Sequence, residues 1–252
     1  RIGKTLVLSS GSHGKYLGRI DLKVEGGQVV DVSSTLIPVF SDVITPDPDM
    51  AGLIDKLRAP YEAECNRVIG RAGELLYRRG NFNGSWDDVI CDAIREERDV
   101  EIALSPGFRW GTTLLPGQPI TIDDMYTQTS MNYPAVYRTE MTGEQIKVML
   151  EDVCDNLFNP DPYYQQGGDM VRVGGMSYEC APKQVMGSRI QNMVITQTGA
   201  PVEADKRYVV GGWASVNPDT QGPAIYDLLE NYITRKNVVS PSGTGRVTVK
   251  GM

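Results

Sequence analysis

The tightest constraint on this chain lies in Asp88-Val89-Ile90-Cys91-Asp92-Ala93-Ile94 and, after a short charged turn, Val100-Glu101-Ile102-Ala103-Leu104-Ser105-Pro106-Gly107-Phe108-Arg109. The order reads as helix, strand, glycine turn, arginine. The strand Val100 to Leu104 is almost wholly apolar, which suits a strand covered on both faces, and the carboxyl ends of strands in open α/β sheets carry binding groups. A guanidinium there offers a planar fork of donors matched to the oxygens of a phosphate, sulfate or sulfonate, and Gly107 lets an anion come close to the backbone. An arginine at such a turn also fits a surface ion pair, so the local pattern leaves both readings of Arg109 open.

With 252 residues, 40% of them hydrophobic, the chain can bury a substantial core in one large or two modest domains. Twenty-five basic against 32 acidic residues give a net charge of −7, and no Lys/Arg cluster interrupts it, which argues against a nucleic-acid partner. No apolar run is long enough to span a bilayer. The chain opens at Arg1 with neither an initiator Met nor a signal-peptide pattern, which reads as a fragment or processed piece. Cys65, Cys91, Cys154 and Cys180 are widely spaced and form no C-x-x-C pair, so neither a zinc knuckle nor a thioredoxin-like motif is present. Cys91 and Cys154 fall on apolar helix faces, as inert buried thiols do, while the even count permits disulfides without requiring them. His13 is the single histidine, and no acidic cluster at ligand spacing accompanies it, so the chain is expected to hold no metal.

Along the chain, Lys4 to Ser9 reads as a short strand. Lys15 to Val24 alternates apolar Tyr16, Ile20, Leu22 and Val24 with polar Arg19, Asp21 and Lys23, and Glu25-Gly26-Gly27 turns it into Val29 to Leu36. Thr45-Pro46-Asp47-Pro48 supplies a cap and an N1 proline for a helix with Met50, Leu53, Ile54, Leu57 and Tyr61 on one face, kinked by Pro60. This helix marks a boundary near residues 40 to 68. Beyond it, Ser85-Trp86-Asp87-Asp88 resembles a capping box, and Thr142-Gly143-Glu144-Gln145 is a better one ahead of Ile146, Met149, Leu150, Val153, Cys154 and Leu157. Val136 to Met141, Met170 to Val173, Met176 to Cys180, Ile190 to Thr196 and Tyr208 to Trp213 read as strands. Ile225, Leu228, Leu229, Tyr232 and Ile233 mark a late amphipathic helix, and loops rich in Gly, Pro and Asn lie near 158 to 169 and 215 to 223. The mixed order predicts an α+β fold rather than a doubly wound sheet. Trp213 and Tyr178, at strand positions, are either core residues or a lining for a bound peptide arm. Tyr163-Tyr164, in its Gly/Pro-flanked loop, is either a docking patch or a loop packed on its own aromatics.

These residues resemble a known family. Gly14-Lys15-Tyr16-Leu17-Gly18-Arg19-Ile20-Asp21-Leu22 resembles the closing strands of the catalytic domain of the 5′-nucleotidase family, and Asp92-Ala93-Ile94 through Gly107-Phe108-Arg109 resembles the start of its C-terminal substrate domain. Thr142-Gly143, Val173-Gly174-Gly175 and the segment Tyr208 to Gly222 follow in that family's order. Within the family, Gly11-Ser12-His13-Gly14-Lys15 and Arg172-Val173-Gly174-Gly175-Met176-Ser177-Tyr178 are most similar to the thiosulfohydrolases of bacterial sulfur oxidation.

The resemblance implies residues 1–45 as the last strands of a metallophosphoesterase domain, 46–67 as a linking helix and 68–252 as a substrate-binding domain. It implies two Mn²⁺ ions in the intact enzyme, held outside this chain by Asp-x-His, Asn-His-Glu and Gly-His-x-His motifs, none of which occurs here. The implied reaction is periplasmic hydrolysis of a thiosulfate group carried on the cysteine of a sulfur-carrier protein's C-terminal arm, with release of sulfate. This chain would contribute no catalytic residue. Its expected substrate-binding residues are Arg109, Gly107, Arg172, Gly174, Gly175 and Trp213, with Arg172 alternatively paired to a carboxylate and His13 structural or at the pocket edge.

Departures from the family pattern bear on the substrate. Nucleotidases of this family clamp the base between two phenylalanines; here the first position falls on Met170, and the late segment reads Asn217-Pro218-Asp219-Thr220-Gln221-Gly222-Pro223. Stacking contributes ~1–3 kcal/mol per base in single-strand sites, so its loss favours a smaller or differently shaped substrate. The family's Asn-Gly-Gly has become Ser105-Pro106-Gly107, and proline has no N–H to donate to an anion, leaving Arg109 a larger share of charge recognition. A nucleotide or nucleotide-sugar hydrolase and a non-catalytic docking module are the competing readings.

Overall fold

The computed structural model describes every residue except Arg1, Lys4, Ser12, His13, Arg79, Arg109 and Met252. Lys4, His13 and Arg109, each singled out in the sequence, therefore lie outside the described residues. The chain divides into two compact units, Arg1–Glu62 and Ala63–Met252.

In the first unit, strands β1 (Tyr16–Glu25) and β2 (Gln28–Pro38) pair antiparallel. Gly26 and Gly27 take φ of 56° and 77°, the left-handed pair a two-residue hairpin turn needs. The expected strand at Lys4 to Ser9 does not form: Thr5 makes an isolated bridge to Ile2, and residues 6–10 carry no regular structure. Helix α1 (Pro48–Arg58) starts as expected, with Asp47 accepting from the Met50 N–H at 2.9 Å and Pro48 in the first turn. Pro60 terminates this helix rather than kinking it, since proline cannot donate the next helical hydrogen bond; a one-turn helix α2 (Glu62–Cys65) follows.

The second unit is built from β3 (Val68–Ala72), α3 (Ser85–Arg98), β4 (Ile102–Ser105), β5 (Pro119–Thr121), α4 (Ile122–Thr129), β6 (Tyr137–Thr142), α5 (Gly143–Phe158), β7 (Arg172–Gly174), β8 (Met176–Cys180), β9 (Ile190–Ile195), β10 (Arg207–Gly212), α6 (Ile225–Lys236), β11 (Val238–Val239) and β12 (Val247–Val249). This is the α+β arrangement expected. The central sheet runs β6-β10-β4-β7, with β4 parallel to β10 and antiparallel to β7. Smaller sheets, β11-β3-β5 and β12-β8-β9, flank it.

Strand β4 shows why its sequence is apolar throughout. Ala103 joins a core with Trp86, Ile90 and Ile94 of α3 and Leu229 and Ile233 of α6, whereas Ile102 and Leu104 join a second core with Ile146, Leu150 and Cys154 of α5. A strand covered on both faces has no polar side to alternate with.

Helix starts obey capping rules with one correction. Thr142 accepts from the Gln145 N–H at 3.2 Å while Gln145 accepts from the Thr142 N–H at 2.8 Å, the reciprocal box expected ahead of α5. At α3 the N-cap is Gly84 and Ser85 does not cap. Its hydroxyl donates instead to the Leu75 carbonyl at 2.6 Å and accepts from the Tyr77 N–H at 3.0 Å, tying the preceding segment to the helix. Strand β7 begins at Arg172 rather than Met170, because the Met170 N–H is taken by the Asn81 carbonyl at 2.8 Å.

Candidate functional site

The carboxyl end of β4 opens into the turn Ser105-Pro106-Gly107-Phe108. Ser105 is buried and accepts from Trp213 Nε1 at 2.8 Å, which fixes the indole beside the turn. Gly107 is required by a close approach: a Cβ there would lie 2.4 Å from the Met170 carbonyl oxygen and 2.7 Å from Asp169 Cβ. The room left by the missing side chain is taken by the 169–170 backbone, not held open for a ligand. Phe108 stacks on Trp110 with ring centroids 3.8 Å apart, and meets Trp213 edge-on at 6.2 Å. Asn81, Gly107, Phe108, Trp110, Leu157, Gly167, Gly168 and Asp169 line a concavity of about 520 Å³ at this turn.

A buried charge network supports the concavity. Asp87, in the first turn of α3, has its side chain fully buried and bridges two guanidiniums: Arg78 at 2.8 Å and Arg172 at 3.2 Å. Arg78 also donates to the carbonyls of Gln128 and, at 3.2 Å, of Pro106, and lies 5.3 Å from the Phe108 ring centroid. Arg172 donates to the Gly80 carbonyl at 2.7 Å and approaches Asp169 at 3.7 Å. One carboxylate thus fixes three chain segments around the turn. Burial pushes the Asp87 carboxyl upward while both arginines oppose it.

The residues singled out in the sequence part company here. Gly107, Trp213 and Arg172 gather at the carboxyl end of β4, Trp213 and Arg172 as buried supports of the concavity rather than as part of its lining. Gly174 pairs with Ala103 toward the other end of β4. A Cβ on Gly174 would meet Cys91 Cβ at 2.8 Å, and one on Gly175, at φ 74°, would meet the Glu101 carbonyl at 2.0 Å. These two glycines allow β7 to pack tightly against α3 and the start of β4. Tyr178 is buried in the α5 core, so it lines no tunnel. Tyr163 and Tyr164 are exposed and contact each other edge-on at 5.6 Å. Met170, the position of the first stacking residue in the family, is fully buried in the same core as Tyr178 and presents no face to a ligand. Sequence reasoning missed Arg78, Asp87, Asp169 and Trp110. The alternation Phe108-Arg109-Trp110 was a visible signal for Trp110, whereas nothing local distinguishes Asp87 from the other acids of its helix.

A second network lies farther along α3. Arg246 contacts Asp92 at 2.7 Å and Asp88 at 3.3 Å and donates to the Val173 carbonyl at 3.0 Å, joining the chain end to α3 and β7. Burial pushes the Asp88 carboxyl up to about 7, with Arg246 opposing and Asp87 and Asp92 adding to the rise. Among the described residues no group of three or more His, Cys, Asp or Glu side chains could hold a metal ion.

The family model of the 5′-nucleotidase C-terminal domain matches residues 68–217. The chain belongs to the 5′-nucleotidase family. Among solved structures of this fold, the Thermus thermophilus sulfate thiohydrolase SoxB is 32% identical and superposes with a TM-score of 0.91 over 100% of this chain and 48% of that one. A 5′-nucleotidase precursor, also from Thermus thermophilus, is 18% identical, with a TM-score of 0.77 over 95% of this chain and 50% of that one. The Haemophilus influenzae NAD nucleotidase is 16% identical, with a TM-score of 0.59 over 93% and 53%. The last two share the fold alone. This chain spans about half the length of each of these proteins. No curated protein sequence matches it. No helix among the described residues is long and apolar enough to cross a membrane.

Proposed function

We propose that this chain is the substrate-facing part of a periplasmic thiosulfohydrolase, which releases sulfate from a thiosulfate group held on a carrier-protein cysteine. The observation that carries this reading is the 32% identity at a TM-score of 0.91 to a sulfate thiohydrolase across the whole chain, against 18% and 0.77 for a 5′-nucleotidase. The burial of Met170 supports it, since a base has no side chain to stack on at that position. In this reading Arg109 pairs with the sulfonate oxygens. Phe108 and Trp110 flank it in sequence, and the Asp87 network keeps the turn in place. The two metal ions, Mn²⁺ by resemblance, belong to an N-terminal metallophosphoesterase domain whose ligands lie outside this chain, and the cysteine-bearing arm of the carrier is the partner.

Calorimetric titration of the chain with AMP and UMP separates this from nucleotide hydrolysis. We expect no binding of either nucleotide at micromolar concentrations. Micromolar affinity for either would put the nucleotidase reading first.

A further inference from the structure

Cys154 on α5 and Cys180 at the end of β8 bring their sulfurs to 3.6 Å within the second core, where both residues are fully buried. Nothing in the site described above uses them. The helix is held at this spot from both sides of Cys154. Glu151 accepts from the N–H groups of Gly187 at 2.8 Å and Ile190 at 2.7 Å, and Asp155 pairs with Arg189 at 2.6 Å. Two thiols fixed in contact by their neighbours have little conformational freedom left to lose on bonding. Cys91 differs: it packs beside Gly174 in the other core.

We propose that Cys154 and Cys180 are a redox-modification site, a dithiol that closes to an intrachain disulfide by exchange with a low-molecular-weight disulfide. Closure requires the sulfurs to approach by about 1.5 Å, to the length of an S–S bond. The thiolate of one cysteine attacks the external disulfide, forming a mixed disulfide and expelling one thiolate. The thiolate of the other then attacks the protein sulfur of the mixed disulfide and expels the second. Two protein thiols are oxidised, the external disulfide is reduced to two thiols, and the two protons pass to the departing thiolates. The two thiols share one S–H···S contact at 3.6 Å in which either can donate, so either can supply the attacking thiolate. Because the pair is buried, exchange takes place on local opening, and the bond is shielded from reductant once the core closes.

The test equilibrates the full chain with oxidised glutathione a few degrees below its melting temperature, then alkylates it under denaturing conditions and maps the peptides. The expected result is a mass two hydrogens lower, a single cross-link between Cys154 and Cys180, and a melting temperature higher by roughly 6–12 °C for a staple across 26 residues. Cys180→Ala should abolish all three; if that variant does not fold, the cross-link map of the unaltered chain still decides. Alkylation of all four cysteines after oxidation, a cross-link to Cys65 or Cys91, or a bond that leaves melting unchanged would each overturn the proposal. None of these results depends on the proposed substrate.

Discussion

Asp87 joins the two buried guanidiniums, Arg78 and Arg172, that brace the turn of the candidate site. Replacing it with Ala leaves the guanidiniums of Arg78 and Arg172 buried without their shared carboxylate. Breaking a buried pair in this way costs about 3–5 kcal/mol, and thermal melting of Asp87→Ala should fall by roughly 6–20 °C. A drop of only a degree or two would mean that the network is not what fixes the turn. Arg109 should behave in the opposite manner. If it orients a sulfonate through a paired hydrogen bond, Arg109→Lys fails almost as badly as Arg109→Ala, because an ammonium cannot reproduce the planar fork. The expected loss in kcat/KM of the intact enzyme is on the order of 2–4 kcal/mol, the cost of removing one oxyanion donor, with melting nearly unchanged. Near-normal turnover in Arg109→Ala would remove it from the site, and a collapse in melting would recast it as a structural ion pair. At this scale the sequence is half legible. A Gly-hydrophobe-Arg turn after a buried strand can be read locally, but Arg172 and Gly174 look like ligand contacts until the fold shows one joined to a carboxylate and the other pressed against Cys91.

Among the elements, β4 and α3 set the geometry, and their stability is tuned by the ionisation of Asp88. Its carboxyl rises from the ordinary value of 3.8 to about 7 in the folded chain, so between these pH values the folded state binds the extra proton. Asp88's contribution is therefore fully present below about pH 4 and is lost as the pH climbs through 7, at up to about 1.4 kcal/mol per pH unit. Chemical denaturation at several pH values should show stability falling across this window, and Asp88→Asn should flatten the fall. An unchanged slope in Asp88→Asn would place the titration elsewhere. Ile102→Ala, in the strand between the two cores, should cost about 2–5 kcal/mol, whereas Thr142→Ala at the α5 cap should cost about 0.5–2 kcal/mol. Equilibrium unfolding of both variants checks that order. Strands with long apolar runs and helices with reciprocal caps can be read from the sequence. The two-residue β11 and the three-residue β12 cannot, because their pairing with β3 and β8 depends on partners more than 60 residues away. Pro60 reads as a kink because its neighbours on both sides carry helical spacing, and the cost of a missing donor ends the helix instead.

At the scale of the molecule, membership of the 5′-nucleotidase family fixes the class of fold, and the likeness to a sulfate thiohydrolase over the full chain is what the proposed substrate rests on. The chain's own donors cannot assemble a dinuclear metal site among the described residues. After dialysis the chain should therefore retain well under one equivalent of Mn²⁺ or Zn²⁺, as measured by elemental analysis; two retained equivalents would contradict this. Much of the whole-molecule reading is open to sequence because the order of motifs survives at low identity, while the substrate, as read from the sequence, rests on what is missing at Met170 and at 217–223. The most direct measurement is sulfate release from a thiosulfate-loaded carrier protein by the intact enzyme that contains this chain, alongside phosphate release from AMP. Sulfate release that is lost in Arg109→Ala, with no phosphate released from AMP, is the predicted result. Turnover of AMP without sulfate release would contradict it.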